Sequence, residues 1–398
     1  MASIPEDLSL SNCDDEPIHI PGSIQPHGAL LAFDPDLGLL AWSVNAASLI
    51  GCTPAVGASI STLGLPAEAL ELAGVVRLDM HDGAAMPVSC EVAIGDAEFD
   101  CVAHAHEGRI LVEFETRRLR SDAVAAFALK AHASIDRFKR QHSIDALLNM
   151  AVQQVRQLTG FDRVMAYRFR HDDSGDVVAE ACADGIEPYL GRRYPASDIP
   201  AQARRLYLIN TLRIIADVAY QPVTLRGREG DAPLDLSYSV LRSVSPIHIE
   251  YLRNMGVQAS MSVSIVINGR LWGMLACHHM TPLQVPYSIR MATDVLAQVL
   301  ASSVQTIETR GQAARIEQGA ELGSRILEAM SQEDNVVRTL DAYADRLRAT
   351  LGADALIISQ MGELTVHGKL EQSLAADIVH ALPANGDVLY QFNEVADW

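Results

Sequence analysis

Between residues 291 and 330, apolar residues recur at helical spacing: Leu296, Leu300, Val304, Ile307, Ala314, Leu322, Ile326 and Met330. Side chains three and four positions apart share one face of an α-helix. The stripe therefore predicts a single helix of roughly 40 residues, about 60 Å long at 1.5 Å per residue. No single domain covers that length. The helix has to leave one domain and lead to another, and its uncovered stripe predicts pairing with a second helix, most simply in a homodimer. Gly311, Gly319 and Gly323 weaken it locally without ending it.

The segments on either side of that helix echo one another. DALLNMAVQQVRQLTGFDRVMAYRF (145–169) resembles DNVVRTLDAYADRLRATLGADALIIS (334–359). Each reads as a helix, a glycine stop and an apolar strand. A second copy of one α/β domain is expected from about residue 326, and Trp398 comes before that copy is complete.

With 398 residues, two or three domains are expected. The net charge of −19 opposes binding to nucleic acid or to an anionic membrane surface. No apolar run is long enough to span a bilayer, and the amino terminus has no apolar signal core. Six cysteines (13, 52, 90, 101, 182 and 277) are scattered without a CxxC pair, which reads as free thiols in a reducing, cytoplasmic compartment.

Residues 1–26 contain four prolines and form an irregular leader. Short apolar runs at 29–33, 39–43, 74–78, 88–94 and 110–114 read as the strands of a small sensor domain. Residues 121–158 switch to helical spacing, with Phe127, Ile135, Phe138, Leu147, Met150, Val152 and Val155 on the apolar face and Gly160 as the stop. A strand over 161–170 and a short helix over 201–208 follow, and 224–236 (TLRGREGDAPLDL) reads as a polar loop. Residues 260–279 form a hairpin, because Asn268-Gly269 suits the positive φ angles of a type I′ turn. Ser260, Ser262 and Ser264 alternate with Met261, Val263 and Ile265. The serine face is either a solvated exterior or a row of donors toward a polar ligand.

Three stretches carry chemistry. In RYPASDIPAQARRLY (193–207), two prolines stiffen a loop, and a helix beginning at Pro200 leaves Asp198 outside the cap position, free to face a ligand. LRSVSPIHIEYLRNMGV (241–257) gathers Arg242, Ser245, His248, Tyr251 and Arg253, with His248 and Tyr251 on one face of a helix. His248 is either a satisfied core residue or a ligand contact. Arg213, Arg242 and Ser260 together suit a carboxylate-bearing ligand, since guanidinium groups grip carboxylates in bidentate fashion. CHHM (277–280) suggests zinc, but neighbouring strand residues point to opposite faces, so the three side chains cannot share one metal.

Taken together, CDDEPIHIPGSIQPHG in the leader, FDRVMAYRF, YPASDIPAQARRLY, SVLRSVSPIHIEYLRNMGV and LWGMLACHH resemble the bacteriophytochromes, strongly over about 10–310 and weakly beyond. The resemblance implies an α+β chain of PAS and GAF domains, each an antiparallel sheet flanked by helices. The expected divisions are a leader (1–26), a PAS domain (27–118), a GAF domain (119–305), a connecting helix (306–325) and a partial, GAF-like PHY domain (326–398). It also implies a figure-of-eight knot in which the leader passes through a GAF loop near 217–247. The implied function is red/far-red light sensing with biliverdin IXα as chromophore, joined by a thioether to Cys13. Ile247 stands before His248, so the GAF-domain attachment cysteine of other phytochromes has no counterpart. Asp14, Asp15 and Glu16 disfavour the Cys13 thiolate, so its reactivity is expected to come from proximity to the bilin.

In that resemblance Asp198 and His248 face the pyrrole nitrogens and His278 bonds the D-ring carbonyl. Tyr167, Tyr194 and Tyr251 cage the D ring, whose rotation is the photochemical event. Arg213, Arg242, Ser260 and Ser262 clamp the propionates, and Met165, Ile199, Pro200, Tyr207 and Ser245 complete the pocket. A strict two-residue turn conflicts with this, because it pairs Ser260 with Cys277 and sends His278 to the other face. Either a bulge or a longer turn is required. The implied partners are a second copy of the chain, a histidine kinase output module in cis and a response regulator. The PHY tongue and the kinase are expected beyond Trp398, leaving the far-red state of this chain incomplete or short-lived. The alternative is a PAS–GAF module for a small ligand such as a cyclic nucleotide, without a light response.

Overall fold

The computed structural model describes residues 16–117, 135–332 and 335–382. The chain divides into two compact units, Met1–Gln305 and Thr306–Trp398. The first unit opens with β1 (Ser23–Ile24), β2 (Gly28–Phe33), β3 (Leu39–Ser43), α1 (Ala46–Ile50), α2 (Ala67–Leu78), β4 (Ala85–Ile94), β5 (Ala97–His106) and β6 (Arg109–Thr116). It continues with α3 (Ile144–Thr159), β7 (Arg163–Phe169), β8 (Gly175–Cys182), β9 (Arg193–Tyr194), α4 (Ala201–Ile209), β10 (Leu212–Ile215), β11 (Val223–Gly227) and α5 (Pro246–Asn254). The hairpin strands β12 (Ala259–Ile267) and β13 (Arg270–His279) lead to α6 (Tyr287–Gln332), one helix of 46 residues. The second unit adds α7 (Val336–Leu351), β14 (Ala355–Gln360), β15 (Glu363–Gly368) and α8 (Gln372–Ala381).

Two sheets organise the first unit. One has the order β1-β11-β3-β2-β6-β5-β4 and the other β10-β12-β13-β7-β8-β9. The first contains a strand from far along the chain: β11 pairs with β1 on one side and with β3 on the other. The polar loop expected at 224–236 is therefore partly a strand. Most of β11 is not buried, so backbone pairing rather than side-chain burial makes it extended, and no alternation of hydrophobic residues marks it.

The leader is tied to the same region. Gln25, almost fully buried, donates through Nε2 to the Ile214 carbonyl at 2.9 Å, and its N–H donates to the Leu241 carbonyl at 2.8 Å. Leu236 N–H donates to His19 O, and Ser243 N–H to Ser23 O. Residues 223–243 thus hold the leader at several points.

Three further sequence readings need correction. Residues 74–78 are the end of α2 and not a strand. Ala69, Ala73 and Val76 are its buried side chains, spaced four and three apart, and Glu68 and Arg77 suit its first and last turns. The helical stretch 121–158 is interrupted at 140–143, where Ser143 accepts from Ala146 N–H and starts α3 anew. Phe127 lies outside the described residues. Pro200 is the residue before α4 and not its first turn, and Asp198 closes a short 3-10 turn, Ala196–Asp198.

Strands β5 and β8 had no counterpart in the sequence reading. Residues 99–105 are buried throughout, on both faces, so β5 shows no period of two.

The echo is structural. α3 ends at Gly160 (φ 79°) and leads into β7; α7 ends at Gly352 (φ 65°) and leads into β14. Both helices have a side-chain cap, Ser143 in one and Asn335 in the other.

Candidate functional site

The hairpin sets the floor of the site. Asn268 and Gly269 have φ 52° and 72°, the signature of a type I′ turn. A bulge then shifts the register: Val266 faces Leu271, but Ile265 faces Gly273, which makes Trp272 the extra residue of the bulge. From that point Ser262 pairs with Ala276 and Ser260 with His278. The bulge resolves the conflict and puts the serines and His278 on one face. Cys277 falls on the opposite face, fully buried, and His279 Nδ1 lies 2.8 Å from Asp162. CHH therefore divides between two faces, as strand geometry requires.

Above this face lies a cavity of about 670 Å³, within the usual range for small-molecule sites. Strands β7 and β13 contribute Met165, Tyr167 and His278, and β12 contributes Ser260 and Ser262. Strand β9 supplies Tyr194, the turn before α4 supplies Asp198, Ile199 and Pro200, and α4 supplies Tyr207. Arg213 comes from β10, Arg242 and Ser245 from the stretch before α5, and His248 and Tyr251 from α5. Every expected site residue except Cys13 lines this one cavity. Cys13 lies outside the described residues, but Glu16 and Ile18 of the leader line the wall. Glu16 accepts from the Ser245 hydroxyl at 2.5 Å. Three residues of extended chain reach at most about 10–11 Å, so Cys13 is within that reach of Glu16.

One end of the cavity is cationic. Burial holds the guanidinium groups of Arg213 and Arg242 below their usual range, Arg242 at about 9, and Arg213 adds repulsion to Arg242. Arg213 Nη2 donates to the carbonyls of Arg242 and, at 3.1 Å, Ser243. The Nη1 atoms of both arginines and Ser243 Oγ are buried with no hydrogen-bond partner. A buried cation, Arg242, and a half-buried one, Arg213, both with unspent donors, are costly unless anions complete them. This end fits a ligand carrying carboxylates.

The other end is aromatic. Tyr167 and Tyr194 have ring centroids 6.2 Å apart. Tyr167 packs on bare backbone, since a Cβ on Gly175 would lie 2.0 Å from its ring. Burial, then the charge of Asp198, pushes the Tyr167 hydroxyl up to about 12. Tyr251 donates to Asp198 Oδ2 at 3.3 Å. The Asp198 carboxyl is raised by burial and lowered in part by that bond, so Tyr251→Phe is expected to raise it further. A carboxyl raised in the fold destabilises it when ionised. The variant should lose more stability than the parent as pH rises past the Asp198 titration, which pH-resolved denaturation of the two chains checks.

Between the ends, His248 stacks on Tyr251 with ring centroids 6.1 Å apart and an interplanar angle of 13°. Burial and the neighbouring Arg213 lower His248 to about 4, and burial, Arg163 and His248 lower His278 to about 3. Both imidazoles are neutral at pH 7 and can each donate once and accept once. His278 Nδ1 is buried without a partner. Glu16, Gln202 and Met274 also line the cavity and were not expected from sequence. Met274 was legible, because it shares the period-two face of β13 with Ala276 and His278.

The chain matches the model of the PAS fold over residues 13–117 and that of the GAF domain over 143–304. It is 41% identical over 369 residues to a bacteriophytochrome of Pseudomonas aeruginosa, covering 92% of this chain and 50% of that protein. A bacteriophytochrome of Xanthomonas campestris is 36% identical over 384 residues, with 92% and 59% covered. The chain spans about half the length of the curated relatives it matches. Among solved structures, the photosensory core module of Stigmatella aurantiaca phytochrome superposes with a TM-score of 0.75 at 37% identity, covering 94% of this chain and 76% of that one. The chromophore-binding domain of the bacteriophytochrome from the same organism gives 0.64 at 42% identity, covering 74% and 99%. PAS and GAF folds in this order, aligned with a solved photosensory core over nearly the whole chain, place this protein in the bacteriophytochrome family of photoreceptors.

Proposed function

We propose that this chain senses red and far-red light through biliverdin IXα held in the 670 Å³ cavity and tethered by a thioether to Cys13. The pair of arginines with unspent donors carries the reading, because a bilin brings two propionates to two guanidiniums that make no ion pair with a carboxylate among the described residues. When bound, the bilin supplies light absorption and the double bond whose isomerisation starts the signal. Arg213 and Arg242 would hold the propionates, with Ser260 and Ser262 donating beside them. Neutral His248 and Asp198 would face the pyrrole nitrogens, and His278, with its spare nitrogen, would bond the D-ring carbonyl. Tyr167, Tyr194 and Tyr251 would bound the space in which that ring turns. Met165, Ile199, Pro200, Tyr207 and Ser245 would complete the wall.

The leader supports the tether, since Glu16 and Ile18 already stand in the cavity wall. We read residues 217–247 as the loop through which the leader is threaded, and 326–398 as the opening of a PHY domain. We further assign dimerisation to the apolar face of α6, a kinase module and response regulator to the signalling output, and a cytoplasmic location. No helix among the described residues is long and apolar enough to cross a membrane.

The test is assembly in vitro. The purified chain mixed with biliverdin is expected to gain a red absorbance band and, after denaturation, to carry zinc-fluorescent bilin. Cys13→Ser should keep the band and lose the covalent adduct completely. No band in the parent chain sinks the bilin reading, and an adduct that survives Cys13→Ser sinks the attachment site.

A further inference from the structure

Glu113 sits in the middle of β6, in the run ILVEF, and is completely buried. Its carboxylate does not serve its own sheet. Oε2 accepts from the Ser239 hydroxyl at 2.7 Å and from Leu241 N–H at 2.9 Å, and Oε1 accepts from Val240 N–H at 3.2 Å. These three donors immediately precede Arg242, and the chain then runs through Ser243 to Ser245 along the cavity wall. Glu113 is also a source of negative potential that favours the charged forms of both Arg213 and Arg242.

We propose that Glu113 is a positioning residue of the cavity: from the amino-terminal sheet its buried carboxylate pins residues 239–241 and so presents a charged Arg242 to the carboxylates of the ligand. This rests on the bilin reading for the identity of that ligand, but not for the pinning itself. The hold depends on ionisation. A carboxylate accepts all three donors, whereas a carboxylic acid turns one oxygen into a donor and loses at least part of the set. Burial raises Glu113 to about 7 against the opposing pull of its three hydrogen bonds, so the hold loosens as pH falls through neutrality.

The groups facing Glu113 come from every neighbouring element. On β5, His104 Nδ1 lies 3.8 Å away, too far for a hydrogen bond, fully buried and lowered to about 3, so it stays neutral. Glu115, on β6 with Glu113, raises Glu113 further. Tyr287 at the start of α6 and Cys101 on β5 both feel its charge. The thiol and the phenol are raised and the imidazole is lowered, so these three do not change charge between pH 6 and 8.

Glu113→Gln, made in the full chain, tests this in two arms. In the ligand-free protein at pH 8, hydrogen exchange at the amides of Val240 and Leu241 should quicken by about tenfold or more, the scale of losing a charge-assisted hydrogen bond. Global stability at pH 8 should hold or rise, because the variant no longer buries a charge. In a Cys13→Ser background, where biliverdin binding is reversible, Glu113→Gln should raise Kd about tenfold at pH 8. Between pH 8 and 6 the Glu113 chain should weaken toward the variant, whose own profile should be shallower. Unchanged exchange, unchanged affinity or parallel pH profiles overturn the proposal. If Glu113→Gln does not fold, Ser239→Ala removes one donor and is read in the same two arms. A Glu113 chain that binds no biliverdin refutes the bilin reading, and the exchange arm still decides the pinning.

Discussion

Glu115→Ala is expected to lower the unfolding free energy of the ligand-free chain by about 3–5 kcal/mol, the usual cost of leaving one partner of a buried ion pair alone. Glu115 on β6 accepts from Arg290 Nη2 in the first turn of α6, and both side chains are almost fully buried. Around them, His27 Nε2 lies 3.7 Å from Glu115 Oε1 and Gln284 Nε2 lies 3.4 Å from the same atom. Arg290 Nε and Nη1 already lack partners, so the carboxylate is the main compensation for a guanidinium that water does not reach. Asp100 also feels Arg290 and keeps the loss within that range rather than above it. The pair is a joint between the amino-terminal sheet and the helix that leaves the first unit. Double replacement, Glu115→Leu with Arg290→Met, should be far milder than Glu115→Ala, because two apolar side chains need no compensation. Denaturant unfolding of the three chains checks this. A single-variant loss below about 1 kcal/mol, or a double variant worse than the single, would show that the pair is not energetically coupled.

Much of the site was legible because strands and helices have fixed periods. His248 and Tyr251 stack because they are three apart in α5, and the serines of β12 share a face by alternation. What remained hidden depends on long-range pairing. The placement of His278 turns on one extra residue, Trp272, and a bulge leaves no mark in a run such as RLWGML. β11 escaped notice because a half-exposed strand that completes a distant sheet carries no apolar pattern of its own. Glu113 was visible as a charge in an apolar run, but its partners lie more than 120 positions away. Residues 74–78 misled because five apolar-rich residues are too few to tell a strand from the last turns of a helix.

Arg242→Met is expected to weaken reversible biliverdin binding, measured in the Cys13→Ser background, by about 30- to 100-fold, or ~2–3 kcal/mol, the scale of a buried charge-assisted contact to a carboxylate. Its effect on the ligand-free chain should have the opposite sign. Arg242 is 7% exposed, held below its usual range by burial and by Arg213, and Nη1 has no partner. Methionine has a similar reach, keeps the packing of the stem and removes a buried charge whose donors are not all satisfied, so the thermal midpoint should hold or rise. Arg213→Met separates this from general damage. Arg213 Nη2 also ties the carbonyls of Arg242 and Ser243, and its loss should lower both stability and affinity. The arginines thus stand for two kinds of residue in one clamp: Arg213 holds the backbone of the wall, and Arg242 is kept charged at a cost to the empty fold that a dianionic ligand repays. A large fall in ligand-free stability for Arg242→Met, or an affinity within about threefold of the parent, would mean that the two guanidiniums are structural and that the cavity's cationic end is not where the ligand carboxylates bind.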